Sequence, residues 1–294
     1  MSARMFIRLE SGVSHADVCL HGGELHSWVA GGHKLLWHRD PVWWDQSSPI
    51  LFPIVGWANR GCIRVDGHSR RLSAHGFARQ REFTVSSRNT SSVTLALTNS
   101  PDTLKVFPFL FRLSVTYTLR DTALAVEFMI ENLDRRSMPY ALGFHPAFCW
   151  PFNSVVRDDY TIVFEAEESS IIPVITSNGL ISSRTRQIPM KGRTLNLTDE
   201  LFASDALCFL SAKSRSFSLN AGHEGSSIVL EASGFPHLAL WSRPRAPFVS
   251  MEAWTGHSDP EGFAGDLSEK PSMRILASGE TASHSVRLLF REAS

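Results

Sequence analysis

The run Arg112-Leu113-Ser114-Val115-Thr116-Tyr117-Thr118-Leu119 alternates apolar and polar residues without a break. After Arg120-Asp121-Thr122 the pattern resumes, with Leu124, Val126, Phe128 and Ile130 at every second position. Side chains of a strand point alternately to opposite faces, so the spacing predicts two strands of an antiparallel hairpin with one buried face. The same signal recurs at Phe83–Val85, Val93–Leu97, Tyr160–Phe164, Ile228–Glu231, His237–Trp241 and Ser285–Phe290. Polar clusters such as Ser86-Ser87-Arg88-Asn89-Thr90 read as the turns between them. Helical periodicity is weak. Only Thr198–Phe202 suggests a short turn, with Thr198 as its cap and Asp199 and Glu200 in its first turn. Short strands, 15 prolines and 19 glycines predict an all-β sandwich or barrel, and residues 1–294 read as one domain without repeats.

The 294 residues are 43% hydrophobic and 20% charged, too apolar for a disordered chain. Lys and Arg (29) balance Asp and Glu (29), which argues against nucleic-acid or membrane-surface binding. Cys19, Cys62, Cys149 and Cys208 are widely spaced, which suits free thiols in a reducing compartment better than a disulfide framework. The N-terminal residues lack an uninterrupted apolar core, so no signal peptide is expected. The expectation is a cytoplasmic protein, monomer or homodimer. Phosphate loops, a dinucleotide fingerprint, a nucleophile elbow and a zinc helix are all missing from the sequence. The segment His257-Ser258-Asp259-Pro260-Glu261 alternates three metal-capable side chains. Pro260 and the flanking glycines predict an exposed, solvated loop there, and no metal site is expected.

Four separated segments join titratable residues to rigid or apolar surroundings. Ser48–Arg60 is an apolar run ending in Asn59-Arg60, which could bring an amide and a guanidinium to a pocket wall or simply form a surface turn. In Ala74-His75-Gly76-Phe77-Ala78-Arg79 the glycine permits close backbone approach by a ligand, although such a histidine is more often structural. In Gly143-Phe144-His145-Pro146-Ala147-Phe148 the proline drives His145 into an extended conformation. Its aromatic neighbours would desolvate the imidazole and disfavour its charged form. Finally, Pro247–Trp254 read as a strand places Phe248, Ser250, Glu252 and Trp254 on one face. A carboxylate between aromatics on a sheet face is paired or functional rather than merely solvated.

The ordered set Phe-Pro-Ile-Val-Gly…Asn-Arg, His-Gly-Phe-Ala-Arg, Gly-Phe-His-Pro-Ala-Phe and Met-Glu-Ala-Trp resembles the aldose 1-epimerase (galactose mutarotase) family. Gly22-Gly23-Glu24-Leu25, Trp37-His38-Arg39-Asp40 and Leu201–Leu207 are similar to its LacX-like branch, and the likeness runs from about Gly22 to Leu289. The resemblance implies a galactose-mutarotase-type β-supersandwich with few short helices, a monosaccharide substrate and no cofactor. It implies His145 as general acid and Glu252 as general base. It also implies Asn59, Arg60, His75 and Asp205 as sugar-binding residues. Trp57 stands where the family usually has arginine. Three other readings remain open. One is a hexose-6-phosphate mutarotase with Arg79 gripping the phosphate. The others are a non-catalytic sugar-binding protein and an unrelated β-sandwich scaffold.

Overall fold

The computed structural model describes residues 4–222 and 225–293. The hairpin read from sequence pairs Phe111–Arg120 with Ala123–Asn132, placing Leu113 opposite Ile130 and Tyr117 opposite Val126. Leu113, Val115, Tyr117 and Leu119 are fully buried, while Thr116 and Thr118 on the other face bond to Thr94 and Ser92 across the strands. This hairpin belongs to a nine-stranded sheet. Towards one edge follow Ser92–Thr98 and Thr84–Arg88. Towards the other follow Thr281–Arg291, Ser227–Ser233, Ser216–Ala221, Tyr160–Phe164 and Thr194–Asn196.

A six-stranded sheet carries the remaining story. Its order is Leu207–Phe209, His237–Trp241, Phe248–Trp254, Gly143–Phe144 and Ile50–Leu51, with Ala147–Cys149 also paired to Phe248–Trp254. Phe128 of the large sheet meets Phe144 of the small one at 5.8 Å between ring centroids. The contact is part of an apolar core that runs from Ile7 to Phe290. Burying a large aromatic side chain is worth about 1.5–3 kcal/mol, so contacts of this kind help hold the two sheets together.

Some local readings need correction. The polar cluster Ser86-Ser87-Arg88 is strand, not turn, because Thr84–Arg88 is an exposed sheet edge that demands no buried face. The one α-helix among the described residues, Pro101–Val106, escaped the periodicity argument because it is too short to show a stripe. Its signal was local: Ser100 caps Thr103 and Pro101 opens the first turn. Asp199–Phe202 is a 3-10 turn, and the Thr198 side chain makes no capping bond. The loop at His257–Glu261 is not simply solvated. Asp259 is buried there and sits 3.0 Å from the Lys270 ammonium.

Candidate active site

The register of the small sheet decides the site. Gly143 pairs with Trp254 and Phe144 with Ala253; pairing resumes at Ala147 with Ser250. The two skipped residues, His145 and Pro146, therefore lie opposite Glu252 and Met251, where Pro146 cannot offer an N–H to the ladder. Facing residues on neighbouring strands put their side chains in contact. His145 Nε2 lies 3.3 Å from Glu252 Oε1. Both side chains are almost wholly buried, and both line a cleft of about 290 Å³, near the lower limit for small-molecule pockets.

Glu252 is oriented by its own strand. The Trp254 indole, two residues on and so on the same face, donates to Glu252 Oε2 at 2.9 Å. His145 is held by packing: Trp44 and Trp241 lie 4.9 and 5.7 Å from its ring. These tryptophans, rather than the neighbouring Phe144 and Phe148, desolvate the imidazole, since both phenylalanines point into the core. His145 Nδ1 finds no hydrogen-bond partner among the described residues. No carboxylate thus stabilises an imidazolium from behind.

Burial governs the charges. It drives the Glu252 carboxyl well above its ordinary value, with Asp205 adding to the effect and the Trp254 bond opposing it. It drives His145 well below its ordinary value, helped by His75 and Arg79. Both shifts disfavour the charged forms, so burial favours a carboxylic acid beside a neutral imidazole over the ion pair.

His75 enters the same cleft, its ring 5.9 Å from that of His145. Its backbone is in the left-handed region (φ 64°), fixed by Gly56 O accepting from His75 N and His75 O accepting from Phe52 N. The Gly56 N–H donates to His75 Nδ1 at 3.2 Å, and burial pushes the imidazole down to about 3. His75 is consequently neutral and carries its proton on Nε2. The adjacent Gly76 serves a different purpose from the one expected. Its missing side chain admits the Phe52 carbonyl, which a Cβ would meet at 2.2 Å, so backbone and not ligand makes the close approach.

Asp205 lies on the rim of the cleft, its Oδ1 accepting from Ala206 N. Asn59 and Arg60 do not join these residues. They form a tight turn in which Arg60 takes φ 56° and remains exposed. Asn59 Nδ2 donates to the Phe263 carbonyl, and its backbone N–H to Asp259. Both line a separate cavity with Asp259 and Phe263, so the Asn-Arg pair is spent on the loop at 259–263 and not on the cleft.

The sequence reading missed several cleft residues. Trp44 and Gln46 come from a loop anchored by buried Glu24, which accepts from the backbone N–H groups of Ser47 and Ser48. Trp241 and Arg243 come from the end of the strand beside Glu252. The adjacent Trp43 and Trp44 next to the polar run Asp45–Ser48 were the one hint. Four of the chain's eight tryptophans (44, 57, 241 and 254) line the cleft. Indole faces suit the C–H surface of a sugar ring.

Comparison with known proteins agrees with this architecture. The aldose 1-epimerase family model matches residues 5–289. The plasmid-encoded protein LacX of Lactococcus lactis subsp. lactis is 32% identical over 275 residues, covering 90% of this chain and 92% of that protein. The crystal structure of a galactose mutarotase-like protein from Lactobacillus casei ATCC 334 superposes with a TM-score of 0.90 at 32% identity, covering 98% and 100% of the two chains. A galactose mutarotase related enzyme from Lactobacillus acidophilus shares the fold with a TM-score of 0.91 at 24% identity, covering 99% and 98%. The fold is galactose mutarotase-like, and the chain belongs to the aldose 1-epimerase family.

Proposed function

We propose that this protein interconverts the α and β anomers of an aldose by acid–base ring opening and closure. The observation that carries the reading is the 3.3 Å approach of His145 Nε2 to Glu252 Oε1 at the buried end of a sugar-sized cleft. Mutarotation needs two proton movements at one hemiacetal. Glu252 takes the proton of the C1 hydroxyl while His145 gives one to the ring oxygen, and the C1–O5 bond breaks to leave an aldehyde. Rotation about C1–C2 turns the other carbonyl face to the O5 hydroxyl. Closure then runs both transfers backwards, with Glu252 protonating the carbonyl oxygen and His145 accepting from O5.

The resting protonation fits this cycle. A protonated Glu252 beside a neutral His145 is the state that exists when the ring is open, so closure starts from the arrangement that burial already favours. Opening starts from the tautomer with the proton on His145, which has the same net charge and costs no exchange with solvent. Each placed donor or acceptor contributes roughly 10²–10⁴-fold. His75, neutral with Nε2–H free, and Asp205 on the rim would bind sugar oxygens. Saturation-transfer NMR on an aldose at equilibrium tests the reading: anomer exchange should exceed the spontaneous rate in proportion to protein concentration. Exchange at the spontaneous rate with every aldose would refute it.

A further inference from the structure

Acidic side chains are rarely buried unless paired or functional, and Glu24 is one that the acid–base cycle leaves unused. It opens strand Glu24–Ala30 and is only 4% exposed. Its backbone is fixed from beneath. Glu24 pairs with Cys19, and the Tyr117 hydroxyl of the large sheet donates to the preceding carbonyl, Gly23 O, at 2.7 Å. From this base the carboxylate reaches the segment that flanks His145. Glu24 Oε1 accepts from Ser47 N at 2.7 Å and from Ser48 N at 3.0 Å, while Ser48 Oγ donates to Leu25 O. Arg39 lies 3.7 Å from Glu24 Oε2 and donates through Nε to Asp45 O, so the same carboxylate steadies both ends of residues 45–48.

What those residues touch gives the bonds their consequence. Ser47 O accepts from Ala147 N, Pro49 O accepts from His145 N, and Ile50 pairs with Phe144. His145 therefore runs between the strand of Glu252 and this segment. At Ser47 the ladder breaks, because Ala147 O accepts from Trp37 N instead. Two successive N–H groups are left for Glu24, which supplies one oxygen for both. A buried donor without an acceptor carries its full desolvation cost, so withdrawing that oxygen would make the segment move. Trp44, in the same loop and 4.9 Å from the His145 ring, would move with it. We propose that Glu24 is a positioning residue for the reaction: it holds residues 44–49 so that His145 Nε2 faces Glu252 and Trp44 covers the imidazole. The proposal deepens the mutarotase reading and rests on it for its rate readout.

Two conservative variants separate this role from simple stability. Glu24→Gln keeps an oxygen for both N–H groups and drops the charge. Glu24→Asp keeps the charge and withdraws the oxygen by one methylene. On folded protein well below its melting temperature, Glu24→Asp should lower kcat for anomer exchange by about ten- to hundredfold, with a smaller change in KM. Glu24→Gln should stay within a few-fold of wild type. The ring-nitrogen resonances of His145 report its surroundings whether or not a sugar turns over; they should move in Glu24→Asp and hold in Glu24→Gln. Wild-type kcat with unmoved His145 resonances in Glu24→Asp would overturn the proposal and leave Glu24 a stability residue only. Glu24→Gln as impaired as Glu24→Asp would overturn it too, by placing the effect in the charge. Wild-type protein that exchanges no anomers would refute mutarotation alone, and the resonances would still decide the role of Glu24.

Discussion

A single neutral imidazole illustrates how backbone geometry sets side-chain chemistry here. Gly56 N–H occupies His75 Nδ1, so the proton of the neutral ring must sit on Nε2, and burial keeps that state down to about pH 3. Nitrogen chemical shifts of His75 should report the Nε2–H tautomer and stay constant between pH 5 and 8. A titration midpoint near the ordinary histidine value of 6.5 would contradict the assigned environment. At this scale the sequence was partly legible. His145 and Glu252 announced themselves, because a proline after one and aromatics around the other restrict what those residues can be doing. Asn59 and Arg60, read either as part of a pocket wall or as a surface turn, form a turn with a left-handed residue at 60, and local pattern alone could not choose between the two. Arg79 was visible as a motif residue, but its bonds to Gln46 and the Ala74 carbonyl are a tertiary fact that no local pattern encodes.

At the scale of elements, strand Phe248–Trp254 is buried along its whole length, and its alternation was read correctly down to the shared face of Glu252 and Trp254. What could not be read is the two-residue skip at His145-Pro146, since register depends on which strands become neighbours. The ribbon of Ile171–Ile175 and Ile181–Gln187 is a second such element, and its turn reaches the cleft. Gly179 in that turn has φ +75°, and a Cβ there would lie 2.0 Å from Trp57 Cδ1. The Trp57 backbone is fixed on its other side by Ser258 Oγ and the Asp259 N–H. Gly179→Ala should therefore displace the indole from the cleft mouth, shifting tryptophan emission and raising KM severalfold while kcat changes little. Unchanged emission and KM would show that Trp57 does not shape the entrance. Lys270 anchors the neighbouring loop, with its ammonium 3.0 Å from Asp259 Oδ1 and both side chains buried. Removing one partner of such a pair leaves the other charge unpaired, so Lys270→Ala should cost about 3–5 kcal/mol in denaturant unfolding. A loss below about 1 kcal/mol would mean that Asp259 finds another partner.

Over the whole molecule, two antiparallel sheets supply a rigid frame, and the price is a carboxyl and an imidazole held where neither is comfortable when charged. All-β class followed from alternation alone, whereas the layering followed only from the resemblance, because alternation shows that a face is buried without showing against what. The strained pair links stability to pH. With its folded-state value raised, Glu252 contributes stability that is complete below the ordinary carboxyl value of 4.5 and is lost as pH rises through the folded-state value. Glu252→Gln does not titrate, so it should melt higher than wild type at pH 8, by about 2 °C or more, and show little gain at pH 4. Equal melting temperatures at both pH values would contradict the buried, neutral carboxyl. The same variant gives the most direct test of the catalytic claim. Anomer exchange measured by NMR, alongside sugar binding by fluorescence, should show Glu252→Gln binding its sugar within a few-fold of wild type while exchanging anomers about 10²–10⁴-fold more slowly. Exchange at the wild-type rate would contradict the account.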